Sequence, residues 1–210
     1  MTTKGYNTIK RKVVNCVQGL LSPLLANIVL NYLDWQLDAQ GFKFVRYADD
    51  FVVMCKSMSQ AEKALDFVKN IVEHDLQLEL NTEKTKIVRF SKGFEFLGFC
   101  ISSRSVRMPA KSEENFKSKI RKLTKRLYNL DATVIEKLNR VIRGTVNYFH
   151  PYFATTLSQF VRLDMWVRKR IRCLKFKHIW HTDNYRMKNS HIHRLGLLSC
   201  RELCLAVKEH

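Results

Sequence analysis

The chain has 210 residues, enough for one domain or two small ones with a real core, and its 46% hydrophobic content excludes an intrinsically disordered protein. It contains no uncharged apolar run of about 18 residues, so neither a membrane span nor a membrane partner is expected; Met1-Thr2-Thr3-Lys4-Gly5-Tyr6-Asn7 lacks the apolar core of a signal peptide, and the expected location is cytoplasmic. The formal charge of +18 is lopsided: residues 1–105 hold 14 Lys/Arg against 11 Asp/Glu, and residues 106–210 hold 23 against 8.

The first element is announced by Ser22-Pro23, a helix N-cap followed by a residue suited to the first turn. Apolar residues recur at 24, 25, 28, 29, 32, 33 and 37, a helical stripe that ends before Gly41. The Gln18-Gly19 loop ahead of the cap is placed to offer backbone N–H groups and an amide to a substrate.

Phe44-Val45-Arg46-Tyr47-Ala48-Asp49-Asp50-Phe51-Val52-Val53-Met54 follows. Its Val, Phe and Tyr runs favour strands, and Ala48-Asp49-Asp50 breaks them as a tight hairpin turn. Two adjacent carboxylates at one tip repel each other unless a hard cation neutralises them, and Mg²⁺ takes one or two carboxylates together with substrate phosphates. An acidic surface turn is the alternative. Here the apolar flanks set the tip on a buried sheet.

Ser59 then caps a helix over about 59–75, with Ala61, Ala64, Leu65, Val68, Ile71 and Val72 as its buried stripe. Lys84 is a candidate phosphate partner or a solvated lysine. Residues 86–90 and 94–101 read as strands around a Lys92-Gly93 turn, and Ser102-Ser103-Arg104-Ser105 forms another turn.

Composition changes at Pro109, a domain boundary by this reading. Residues 112–129 set Phe116, Ile120, Leu123, Leu127 and Tyr128 against Lys117, Lys119, Arg121, Lys122, Lys125 and Arg126. A helix over about 133–149 carries Ile135, Leu138, Ile142 and Val146. Another, over about 156–176, carries Phe160, Leu163, Met165, Trp166 and Val167 beside Arg162, Arg168, Lys169, Arg170 and Arg172. Three basic amphipathic helices predict a bundle with one cationic face that neutralises backbone phosphates with little sequence preference. Tyr148, Phe149, Tyr152 and Trp166 are able to stack on bases or to fill the core, and core is favoured for Trp166. The tail ends on a stripe of Leu195, Leu197, Leu198, Leu203 and Leu205. Six cysteines form no Cys-x-x-Cys pair; Cys200 and Cys204 suit a core-facing stripe better than a zinc site with His191 and His193.

Together these blocks resemble a known family. Gln18-Gly19 with Ser22-Pro23-Leu24-Leu25-Ala26-Asn27-Ile28, then Tyr47-Ala48-Asp49-Asp50, resembles the palm of a group II intron reverse transcriptase. Leu78-Glu79-Leu80-Asn81-Thr82-Glu83-Lys84-Thr85 resembles the segment after the palm helix. Phe96-Leu97-Gly98-Phe99 resembles the hairpin that supports the primer strand. Ile142-Arg143-Gly144-Thr145-Val146-Asn147-Tyr148-Phe149 resembles the maturase, or thumb, signature, with Thr145 where the family usually has Trp.

The resemblance implies an α+β chain: a partial antiparallel palm packed on two helices over residues 1–108, then an all-helical thumb and maturase domain over 109–210. It implies an RNA-directed DNA polymerase and maturase with Mg²⁺ as cofactor, and Asp49 and Asp50 as two of three catalytic, metal-holding carboxylates. Gln18, Gly19, Tyr47, Ala48 and Lys84 would contact the nucleotide. Leu97, Gly98, Lys119, Lys122, Arg126, Arg143, Arg168 and Arg170 would contact primer, template or structured intron RNA. The third carboxylate belongs to a strand before the Gln-Gly loop, yet residues 1–33 hold no Asp or Glu, and the first acids are Asp34 and Asp38. The loop between Gln18-Gly19 and Ser22-Pro23 is also one residue shorter than in relatives. The expectation is therefore an N-terminally truncated form, inactive alone, completed by a separate N-terminal chain. The alternative is an RNA-binding maturase remnant that assists splicing without polymerising.

Overall fold

Helix α1 spans Ser22–Ala39 in the computed structural model, which describes residues 22–178, 180 and 182–206. The Gln18-Gly19 loop lies outside the described residues. Two structural units divide the chain: one runs up to Leu97 and includes Ile101–Arg104, the other includes Gly98–Cys100 and the described residues from Ser105 onward. No helix among the described residues is long and apolar enough to cross a membrane.

In the first unit, α1 buries Leu30, Leu33 and Leu37, while Leu24, Leu25, Ile28, Val29 and Tyr32 are exposed. The stripe expected along 24–37 therefore splits, and only 33 and 37 turn inward. At roughly 100° per residue, these apolar side chains cover more than half the helix circumference, so periodicity alone does not choose the buried side. The helix ends as Gly41 adopts φ +71, with Gly41 N–H donating to the Asp38 carbonyl and Phe42 N–H to the Leu37 carbonyl. This pair of bonds satisfies carbonyls that the helix end leaves open.

Strands β1 (Lys43–Tyr47) and β2 (Asp50–Met54) pair antiparallel, from Lys43↔Met54 to Tyr47↔Asp50. Phe51 and Val53 of β2 enter a core with Leu30, Leu33 and Leu37 of α1 and Ala61, Ala64 and Val68 of α2 (Met58–Asn70). The α2 cap is Ser57, not the expected Ser59: its Oγ accepts the Gln60 N–H at 3.1 Å, and Gln60 Oε1 accepts the Lys56 N–H at 2.8 Å. This is close to a reciprocal capping box. A single π-helical turn, Ile71–Asp75, follows and buries Ile71 and Val72, whereas Leu65 stays half-buried. Residues 86–90 form no strand. β-favouring side chains make a strand only beside a partner ladder, and none flanks this segment among the described residues.

Short strands β3 (Phe94–Phe96) and β4 (Phe99–Ile101) are separated by Leu97-Gly98, both at positive φ; β5 (Val106–Arg107) follows. β3 belongs to the first unit; apart from residues 99–100 of β4 and β5, the elements described in the second unit are helices. Helix α3 (Ala110–Leu123) stops at Thr124, short of the expected 129. Thr124 is buried, its Oγ1 donates back to the Ile120 carbonyl at 2.8 Å, and Leu127 and Tyr128 beyond it are exposed. Helix α4 (Ala132–Phe149) is capped by Asp131 and buries Ile135, Leu138, Ile142 and Val146, the four expected positions. Helix α5 (Leu157–Phe176) buries Phe160, Leu163, Val167 and Ile171 in the same core, but Met165 is exposed. Helices α6 (Asp183–Arg186), α7 (Asn189–Arg194) and α8 (Cys200–Ala206) close the unit. Of the expected tail stripe only Leu197 is buried; Leu195 and Leu205 are exposed, and Cys200 and Cys204 take the core side instead.

Asp164, buried on α5, fastens α8. It accepts from the Ser199 hydroxyl at 2.8 Å, the Cys200 N–H at 2.7 Å and the Arg201 N–H at 2.9 Å. One carboxylate thus satisfies two donors that the start of a helix leaves open. Burial, then the Asp164 charge, pushes the Cys200 thiol far above its ordinary range, so it behaves as an inert apolar group. Asp164→Ala removes a charged acceptor from three donors and is expected to lower stability by about 2–4 kcal/mol in urea unfolding. Asp131→Ala, which loses a single exposed cap bond, is expected to cost about 1 kcal/mol.

Candidate catalytic hairpin and nucleic-acid interface

The β1–β2 register leaves Ala48-Asp49 as a two-residue turn, with Tyr47 and Asp50 paired across its base. Ala48 sits at φ +53. A side chain there crowds its own carbonyl and costs about 1–2 kcal/mol, so something must hold the turn. Arg46 does so. Its Nη1 donates to the Ala48 carbonyl at 3.0 Å and to Asn27 Oδ1 at 2.8 Å. Its Nε lies 2.9 and 3.0 Å from the two Asp34 oxygens, and its Nη2 is 2.5 Å from Oδ2. Both side chains are largely buried, at 12% and 20% exposure. A planar guanidinium suits this forked contact; a lysine ammonium does not.

Arg46 and Asp34 were missed by sequence reasoning. The signal was that Arg46 shares the inward strand face with Phe44, where a charge requires a partner. Asp34, the first acid of the chain, is that partner.

Asp49 and Asp50 are half-buried, as is Ala48, while Tyr47 is 65% exposed. Lys84 lies exposed in a turn where its N–H donates to Asn81 Oδ1 at 3.1 Å. No group of three or more His, Cys, Asp or Glu side chains arranged to hold a metal occurs among the described residues. The donor set at the tip is two hard carboxylates. It fits Mg²⁺, which completes its shell with water and substrate phosphate, and it does not fit zinc, which wants sulfur and imidazole.

In the second unit, Lys119, Lys122, Arg126 and Arg143 are exposed. Other cations have structural work. Lys117 pairs with Glu113 at 2.6 Å, and Arg121 pairs with Glu114 and lies 5.5 Å over the Trp166 ring, which packs on the core. Arg170 donates to Thr124 through Nε at 3.1 Å and Nη2 at 2.7 Å, closing the end of α3. Arg168 lies 3.6 Å from Asp164. Tyr148 and Tyr152 are exposed beside half-buried Phe149, and Tyr148 stacks on Phe99 at 5.8 Å. Gly98, at φ +77, faces the Tyr148 hydroxyl; a Cβ there would meet it at 3.0 Å. Leu97, at φ +49, is exposed.

Two family models match the chain in succession: "Reverse transcriptase (RNA-dependent DNA polymerase)" over residues 4–101, and "Group II intron, maturase-specific domain" over residues 114–195. Similar proteins include Protein YkfC of Escherichia coli, 32% identical over 38% of this chain and 30% of its own length. The Putative COX1/OXI3 intron 2 protein of Saccharomyces cerevisiae is 29% identical over 64% of this chain and 17% of its own. The Group II intron-encoded protein LtrA of Lactococcus lactis is 38% identical over 30% of this chain and 10% of its own. The chain thus matches less than a third of each relative's length.

Three substitutions test this geometry by their effect on stability. Arg46→Met leaves Asp34 without its cation and the turn without its brace, and is expected to cost about 2–3 kcal/mol; Ala48→Gly relieves the turn and is expected to add about 0.5–1 kcal/mol. Gly98→Ala combines a strained φ with the Tyr148 contact and is expected to cost about 1–2 kcal/mol by thermal unfolding.

Proposed function

We propose that this chain, which belongs to the group II intron reverse transcriptase and maturase family, supplies two carboxylates of an RNA-directed DNA polymerase site and grips structured intron RNA or an RNA/DNA hybrid. Residues 1–108 act as palm and residues 109–210 as thumb and maturase domain. The observation that carries the reading is the Asp49-Asp50 pair on a braced hairpin tip, in one chain with a second half, residues 106–210, of 23 Lys/Arg against 8 Asp/Glu.

Asp49 and Asp50 are the residues that would hold Mg²⁺. The chemistry such ions supply when bound is acidification of a primer 3′-hydroxyl and neutralisation of triphosphate charge. Arg46 fixes the turn backbone and so limits how far the two carboxylates move. Tyr47, at the exposed edge of the tip, and Lys84 are the nucleotide contacts, with Ala48 in the turn; Gln18 and Gly19 complete this set. The Leu97-Gly98 turn bears on the primer strand. Lys119, Lys122, Arg126 and Arg143 neutralise phosphates, and Arg168 and Arg170 contribute what charge their structural bonds leave.

A second reading has its own support. Residues 1–33 carry no acid, and Asp34 is engaged by Arg46. The third carboxylate therefore has no source near the hairpin among the described residues. On this reading the chain grips structured intron RNA and assists splicing without polymerising.

The 210-residue chain is expected not to extend a DNA primer on an RNA template with Mg²⁺; extension that Asp49→Ala abolishes would overturn this. RNA binding is expected to weaken with salt at a log–log slope of about −3 or steeper, read by filter binding. Asp49→Asn with Asp50→Asn is expected to leave that slope unchanged.

A further inference from the structure

A cavity of about 780 Å³ opens in the second unit beside α5, α6 and α7, a volume in the range that encloses a small organic ligand. Its wall carries Arg168, Lys169, Arg172 and Lys188 against one acid, Asp183. The fold keeps this excess of positive charge in place. Arg172 is 8% exposed and is held by the Met187 carbonyl at 2.9 Å and Asn189 Oδ1 at 2.7 Å, both neutral acceptors. Burial, and after it the charge of Arg168, lowers the affinity of Arg172 for its proton, as expected where cations outnumber their partners.

The same cavity is lined by Trp180, which is 68% exposed. Its ring lies 5.3 Å from His178, His178 stacks on Phe176 at 6.1 Å, and the Arg186 guanidinium lies 4.4 Å from the Phe176 ring centre. Trp180 is thus the outer, largely exposed ring of this run, tilted at 47° against His178. Arg168 also leans on Asp164 at 3.6 Å, which leaves Lys169 and Lys188 as the exposed cations of the wall; an exposed indole beside them calls for a ligand with both a π face and a negative charge.

We propose that this cavity takes one unpaired nucleotide of an RNA strand, its base stacked on Trp180 and its phosphate among Arg168, Lys169 and Lys188. The inference rests on the RNA-binding reading above and goes beyond it by naming a single-stranded element and its seat. A base held in a duplex is stacked on both faces and cannot reach the indole, so the pocket discriminates unpaired from paired RNA.

The test compares a short single-stranded RNA with a blunt RNA duplex on the full chain, by fluorescence anisotropy at fixed salt. Trp180→Ala is expected to weaken single-stranded binding about tenfold and to leave duplex binding unchanged, and Trp180→Phe to retain most of the affinity. Lys188→Gln is expected to reduce the single-strand salt slope by about one. Trp180 is exposed, so its loss is expected to leave thermal unfolding unaltered. Equal weakening for both RNAs, or no change with single strands for either the Trp180 or the Lys188 variant, overturns the pocket while leaving the RNA-binding reading intact. A free nucleoside monophosphate binding as tightly as the oligonucleotide also overturns it, because the strand then adds nothing. Failure of the unaltered chain to bind either RNA overturns the underlying reading itself.

Discussion

The Arg46 guanidinium is the constraint on which the candidate polymerase site depends. It joins three things that would otherwise move apart: Asp34 and Asn27 on α1, and the Ala48 carbonyl in the hairpin turn. The turn holds an alanine in a left-handed conformation and presents two adjacent carboxylates. Backbone strain at Ala48 favours opening it. A charge-assisted, forked contact in a largely buried place opposes that opening more strongly than a surface ion pair would. Asp34 therefore has a positioning role, and its place in the chain follows from geometry: α1 runs past the tip, and only a residue near that crossing reaches Arg46.

In the second unit, positive charge is divided by use. Arg170 closes α3 on Thr124, Arg121 covers Trp166, and Arg172 ties α5 to the loop before α7. These guanidinium groups act as hydrogen-bond hubs, a use for which their five donors suit them. Lys119, Lys122, Arg126 and Arg143 are among the cations left facing solvent, whereas Lys117 is held by Glu113. A net charge counted along the sequence therefore overstates the number of cations available to phosphate. The buried acid Asp164 works in the opposite sense, since its charge is absorbed by the start of α8.

Helix α4 was legible because its buried residues form one narrow stripe. Ile135, Leu138, Ile142 and Val146 sit three to four residues apart, and all four are buried. The α1 stripe was not legible in the same way, because its apolar residues wrap too far around the helix to select a side. The hairpin was readable from its two β-rich runs and the Ala48-Asp49 break. The end of α3 was not: nothing in Leu123-Thr124-Lys125 stops a helix locally, and the stop comes from Arg170, 46 residues away.

Local chemistry along the chain was thus enough to establish the mixed α+β character, the two-carboxylate turn and the basic second half, and the ordered motifs carried the resemblance that the two family models match. Those signals are carried by residues a few positions apart, where spacing and side-chain preference act directly. The brace of Arg46 on Asp34, the fastening of α8 by Asp164 and the cationic cavity beside Trp180 needed the folded chain. Each joins groups distant in sequence, and a charge finds its partner through burial: a solvated Arg or Asp is satisfied by water anywhere, and it becomes specific only where packing has removed that water.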